Sequence, residues 1–154
     1  MFKRAFYPGR FQPFHLGHLK ALEYTLKHSK EAIIGVSSSQ YNFFYDDPFT
    51  AGERIEMIRL AIGELYSKVY IIPIENISNN NLWIPHILSL VPPFDVVYAN
   101  NKLVELLFKL HNFRVENILW QKIDGIKISS RMIRRLIVEE KIGNYTCQSK
   151  SRNM

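Results

Sequence analysis

The fold class this sequence predicts is α/β: a three-layer domain with a central parallel sheet of about five strands, covered by helices. Three observations predict it. Short apolar runs alternate along the chain with longer stretches whose apolar residues recur at helical spacing. The short runs are continuous rather than alternating, as expected for strands covered on both faces. Polar turn-forming residues follow several of them, at the strand ends where ligands of open α/β sheets gather. At 154 residues and 47% hydrophobic content the chain supports one core and no second domain. We expect a domain over 1–142 and a polar, disordered tail over 143–154.

Residues 4–7 form the first expected strand. Leu19, Leu22 and Leu26 then recur at helical spacing, with Lys20, Glu23 and Lys27 on the other side. Ala32 to Ser37 is a continuous apolar run and the second strand, ending in Ser37-Ser38-Ser39-Gln40. Tyr41 to Pro48 is an aromatic loop that either packs at an interface or covers a ligand. Thr50 and Glu53 fit a capping box for a helix buried through Ile55, Ile58, Ile62 and Leu65. Arg54 has no capping duty and faces either the site or the surface.

Lys68 to Ile74 is the third strand, and the asparagine-rich Glu75 to Leu82 a polar loop. A helix is expected to open at Trp83-Ile84-Pro85, since proline suits a first turn, and to run to Val91. Pro92-Pro93 breaks it. Phe94 to Ala99 is the fourth strand, Leu103 to Leu110 a helix and Val115 to Trp120 the fifth strand. The last helix begins at Ser129 or Ser130. Arg131 and Arg134 in its first turn oppose the helix dipole, and a bound anion would supply the missing reason.

One cysteine, Cys147, excludes an internal disulfide framework. No signal pattern and no apolar run of about 18 residues is present, so export and membrane insertion are not expected and the cytoplasm is. The net charge of +6 asks for acidic partners. Its basic residues gather near the end, at Lys127, Arg131, Arg134, Arg135, Lys141, Lys150 and Arg152, without a long aromatic-interleaved face. That favours a focused phosphate site over nucleic acid.

The stretch Tyr7-Pro8-Gly9-Arg10-Phe11-Gln12-Pro13-Phe14-His15-Leu16-Gly17-His18 joins the first strand to the first helix through a turn of special residues. Gly9 and Gly17 permit close approaches that a Cβ forbids, and the prolines stiffen the path. Free N–H groups at such a helix start, with the positive end of its dipole, make an anion site. His15 and His18, three apart, can point at one polyphosphate. A lone histidine there is ordinarily a cap or a surface residue. A protein-held metal is not expected, because His28, His86 and His111 are scattered and only one cysteine exists. Trp83 beside a loop of amides either stacks on a flat heterocycle or packs in the core.

The run Gly9 to His18 resembles the signature of the nucleotidyltransferase superfamily, a His-x-Gly-His segment after a Gly-x-Phe-x-Pro turn. Its wording Gly-Arg-Phe-Gln-Pro-Phe-His is similar to the archaeal-type nicotinamide-nucleotide adenylyltransferases. The likeness covers most of residues 4–137. Asp47-Pro48-Phe49-Thr50-Ala51-Gly52-Glu53-Arg54 matches that family's block, as does Pro92-Pro93-Phe94-Asp95. Ile128-Ser129-Ser130-Arg131-Met132-Ile133-Arg134 is similar to the second signature, Ile-Ser-Ser-Thr-x-Ile-Arg.

The resemblance implies a Rossmann-like domain that joins ATP and nicotinamide mononucleotide into NAD and pyrophosphate, with Mg²⁺ carried on the ATP phosphates. It implies catalysis by His15, His18 and Arg134. ATP contacts fall to Gly9, Arg10, Phe11, Gly17, Asn101, Ser129, Ser130 and Arg131, and mononucleotide contacts to Asn76, Ile77, Asn80 and Trp83. We expect small-molecule nucleotide partners and a homo-oligomer. Departures are Asn76 for an aspartate, Asn100 for a glycine at the adenosine turn, Arg131 for threonine, and the absence of most of a carboxyl-terminal helical extension. Two other readings are an adenylyl- or cytidylyltransferase for another phosphorylated acceptor and a non-catalytic nucleotide- or RNA-binding module.

Overall fold

A computed structural model describes residues 1–118 and 128–140. Five parallel strands form one sheet, β1 (Phe2–Gly9), β2 (Ser29–Val36), β3 (Val69–Pro73), β4 (Val96–Tyr98) and β5 (Val115–Glu116), in the order β3-β2-β1-β4-β5. Helices α1 (Leu16–His28) and α2 (Ala51–Ile62) cover one face, and α3 (Asn80–Leu90) and α4 (Lys102–Leu110) the other. A 3-10 turn (Gly63–Lys68) follows α2, and residues 130–140 form a final helix, α5. The expected α/β class and sheet are what these residues build.

The pleat of β1 divides the core. Ala5 and Tyr7 point at α1 and α2, where Leu22, Ile34, Ile58 and Val96 join them. Phe6 points the other way, stacking on Phe94 at 4.9 Å between ring centres and tilting against Phe108 at 5.8 Å. Each such pair adds about 1 kcal/mol beyond simple burial. Gly35 on β2 makes this possible, because a Cβ there would lie 2.7 Å from the Phe6 ring.

Several boundaries differ from those expected. Helix α3 starts at Asn80 rather than Trp83, because the Asn79 side chain accepts from the Asn81 N–H and turns the asparagine run into a helix start. Pro85 therefore lies inside the helix on its exposed side, as does Asn81 four residues back. Strands β1 and β2 extend beyond their apolar centres, since neighbours on both sides supply ladder partners for polar residues as well. Strand β5 is only Val115–Glu116. Residues 119 and 120 of its expected span and the tail 143–154 lie outside the described residues, as do Lys127, Lys141, Lys150 and Arg152. Among the described residues no helix is long and apolar enough to cross a membrane.

Candidate active site

Gly9, Val36 and Pro73 sit in register at one edge of the sheet, with Tyr98 and Glu116 paired across β4 and β5. A pocket of about 390 Å³ opens at this carboxyl edge. Its floor is Tyr7, Pro8, Gly9 and Ser37, and one wall is Arg10, Phe11 and His18. Trp83, Ala99, Asn100, Asn101, Val104 and Ile118 complete it. Six expected site residues thus line one hollow: Gly9, Arg10, Phe11, His18, Trp83 and Asn101.

The first signature folds as a tight turn. Phe11 takes φ +52, a left-handed conformation that costs a non-glycine residue about 1 kcal/mol. Its ring is held edge-on to Tyr7 at 5.5 Å and to His18 at 4.9 Å, with Phe14 tilted at 5.6 Å. Gly9 earns its place here. A Cβ on it would lie 2.8 Å from the Phe11 ring, so the glycine admits an aromatic wall of the pocket. The Gln12–Pro13 peptide is cis.

His15 is the N-cap of α1. Its Nδ1 accepts from the N–H groups of Gly17 at 3.0 Å and His18 at 3.4 Å, while His18 Nδ1 accepts from the His15 N–H at 3.2 Å. This corrects the expectation of free amides at the helix start, because the imidazole itself occupies them. Both Nδ1 atoms are acceptors, so each neutral ring carries its proton on Nε2. Burial lowers His15 from 6.5 to about 4; burial and then neighbouring His15 lower His18 to about 3. The pair is neutral at pH 7.

The second signature docks on the first. Ser130 Oγ donates to the Pro13 carbonyl at 2.8 Å, and Arg134 Nη1 donates to the Gln12 carbonyl at 2.8 Å. Arg134 is buried, and its pKa is lowered by that burial and then by Arg10. Ser129 caps α5 through the Met132 N–H, and Arg131 is exposed. The imidazoles and the Arg134 guanidinium thus belong to one turn and its backing helix.

The remaining expected residues lie elsewhere. Asn101 caps α4, its Oδ1 accepting from Leu103 and Val104. Trp83 is half-buried, edge-on to Phe108 at 5.7 Å, and lines the pocket with its remainder, so it serves core and site together. Asn76 and Asn80 are exposed and Ile77 half-buried; none of the three lines the pocket, and neither do His15, Gly17, Ser129, Ser130, Arg131 or Arg134.

Sequence reasoning missed the side-chain amides that fasten the loops. Gln12 exchanges two hydrogen bonds with the main chain of Phe49, Gln40 two with Asn76, and Asn100 two with Ile118. The Asn100 pair, 2.7 Å each, adds a rung beyond β4 and β5, and so accounts for an asparagine where the resembled family has glycine. Arg54, expected at either the site or the surface, is not at the surface. It is fully buried and donates to the carbonyls of Arg10, Ser37, Ser38, Tyr41 and Thr50. Only the placement of Arg54 in a capped helix start near two strand ends hinted at this.

Among the described residues no group of three histidine, cysteine or carboxylate side chains could hold a metal ion. A divalent cation here would travel on phosphates, as Mg²⁺ usually does.

The profile of the cytidylyltransferase-like family matches residues 6–136. A nicotinamide-nucleotide adenylyltransferase of Archaeoglobus fulgidus is 51% identical over 118 residues, covering 73% of this chain and 68% of that protein. One of Methanolobus tindarius is 44% identical over 135 residues, covering 86% and 78%. In fold, the chain resembles a bifunctional NMN adenylyltransferase/ADP ribose pyrophosphatase of Francisella tularensis, solved with AMP and a manganese ion. Its TM-score is 0.72 at 21% identity, over 88% of this chain and 41% of that one.

Proposed function

The chain belongs to the cytidylyltransferase-like family and, within it, to the archaeal nicotinamide-nucleotide adenylyltransferases, and we propose the reaction accordingly. It is a nucleotidyltransferase that transfers AMP from ATP to nicotinamide mononucleotide, releasing NAD and pyrophosphate. The observation that carries this reading onto the residues is the seam between Ser130–Arg134 and Gln12–Pro13, which joins the second signature to the first, whose Gly9, Arg10, Phe11 and His18 line the pocket.

The attacking 5′-phosphate needs no base, since its second pKa is about 6 and it is already an anion at pH 7. Catalysis is then positioning and neutralisation of charge on the α-phosphate and the leaving pyrophosphate. His15 and His18 act as neutral Nε2–H donors to the phosphates. Arg10 takes the mononucleotide phosphate or the α-phosphate, and Arg134 with Ser130 and Ser129 steadies the departing pyrophosphate. Gly9, Phe11, Gly17, Asn101 and Arg131 complete the ATP side, and Trp83 stacks on the nicotinamide, with Asn76, Ile77 and Asn80 closing over it. Mg²⁺ supplies further charge neutralisation when it arrives with ATP. We place the protein in the cytoplasm, where both substrates are, and read the exposed Leu103, Leu106 and Leu110 stripe of α4 as a contact between copies.

The test is to incubate the chain with ATP, Mg²⁺ and each of several phosphorylated acceptors. Dinucleotide and pyrophosphate are expected with nicotinamide mononucleotide. Turnover with phosphopantetheine in its place, or none with either, would overturn the assignment.

A further inference from the structure

The loop between β2 and α2 is a closed turn rather than a loose strap. Phe43 N–H donates to the Pro48 carbonyl, and Phe44 and Asp47 exchange main-chain hydrogen bonds, each at 3.2 Å. Its two roots are tied down. Arg54 donates to the Tyr41 carbonyl at 3.4 Å, and the Gln12 amide holds Phe49 from both sides at 3.0 and 2.9 Å. A turn so anchored presents its side chains at a fixed place.

That place is the pair of phosphate-side arginines. Arg10 Nη1 lies 3.3 and 3.5 Å from the two Asp47 carboxylate oxygens, and Arg134 Nη2 lies 3.9 Å from Asp46 Oδ1. Burial and then the charge of Arg10 lower the pKa of Arg134, while both aspartates raise it. Each arginine thus already has a negative partner before any nucleotide arrives.

We propose that Asp46 and Asp47 set how readily the leaving group is released: as resident counter-anions on Arg134 and Arg10, they compete with phosphate groups for those arginines. The inference rests on the phosphate roles given to both arginines above. Each ion pair joins an exposed side chain to a covered one, Arg10 at 51% to Asp47 at 16% and Asp46 at 69% to Arg134 at 6%, so solvent reaches one partner of each and the pairs can exchange. An anion that reaches only one arginine displaces one carboxylate and is weakened less. A phosphate chain that reaches from Arg10 to Arg134 gains from each arginine but must displace both carboxylates, so its hold is weakened most. When pyrophosphate is to leave, the carboxylates return to the arginines and hasten it.

Calorimetric titration of the full chain with inorganic pyrophosphate and with inorganic phosphate, in EDTA, tests this directly. Asp46→Asn with Asp47→Asn should bind pyrophosphate about fivefold tighter than the parent, as loss of competing exposed pairs implies. The preference for pyrophosphate over phosphate should rise about twofold, since phosphate is relieved of one competing carboxylate and pyrophosphate of two. Asp46→Asn alone, whose side chain makes no main-chain contact in the turn, should give about a twofold gain and the same melting temperature. Unchanged or weaker pyrophosphate binding in the double variant overturns the proposal. So does an effect seen only with Mg²⁺ present, which would make the carboxylates metal ligands. Failure of the parent to form a dinucleotide would remove the proposed reaction, yet leave this binding comparison readable.

Discussion

The rings of His15 and His18 stack 3.7 Å apart at an interplanar angle of 22°, each with its Nδ1 committed to a main-chain N–H of the same helix start. The arrangement fixes both tautomers and keeps two imidazoles neutral in close contact, where two imidazolium ions would repel.

That relationship sets a pH dependence. Both pKa values are lowered, from 6.5 to about 4 and about 3, so between these limits the unfolded chain binds protons that the folded one refuses. Stability contributed by the pair is therefore full above pH 6.5 and declines as pH falls towards 4. The melting temperature should drop between pH 7 and pH 5, and His18→Gln should flatten that slope. The rate limb near pH 6 should persist in the variant, because it belongs to the acceptor phosphate. A limb that vanishes with His18 would refute neutral donation.

His18→Ala should reduce kcat by about 10²- to 10³-fold, the usual effect of removing one donor to developing charge. KM for ATP should move by less than about threefold, since the donor is then worth more in the transition state than in the ground state. Steady-state kinetics at saturating acceptor would show this. Equal losses in kcat and in ATP affinity would assign His18 to uniform binding.

Trp83→Ala should raise KM for nicotinamide mononucleotide about tenfold through lost stacking, which is worth ~1–3 kcal/mol on a base-like ring. It should also cost stability, because the edge contact to Phe108 disappears. Trp83→Phe separates the two roles, keeping an aromatic face at lower core volume. A KM unchanged in both variants would leave Trp83 a packing residue.

Asn100→Gly restores the residue of the resembled family and removes both bonds to Ile118. Urea unfolding should show a loss of about 1–2 kcal/mol, from two modest hydrogen bonds and a more flexible unfolded chain. No loss would mean that water replaces the side chain at that rung.

The strands were legible because a run such as Ala32 to Val36, apolar on both faces, has no other comfortable place than a covered sheet. The cap at Thr50 was legible because its partner Glu53 lies three residues away. The start of α3 was not, since Asn79 to Asn81 reads equally as turn or cap, and Pro85 suggested a later first turn. Local spacing also said nothing of Gln12 meeting Phe49 or Arg54 gathering five carbonyls, because those partners are brought together only by the crossovers. At His15 the sequence left a cap beside a phosphate contact, and the ring does cap the amides of Gly17 and His18 that were expected to meet the phosphate.

Arg54 has one more effect. Its guanidinium is fully buried, and no carboxylate among the described residues lies within ion-pair distance of it. A fixed positive charge held by five carbonyls in the interior is shielded little by dissolved ions, whose atmosphere cannot enter there. The pocket should therefore keep part of its pull on anions in brine that silences its surface arginines.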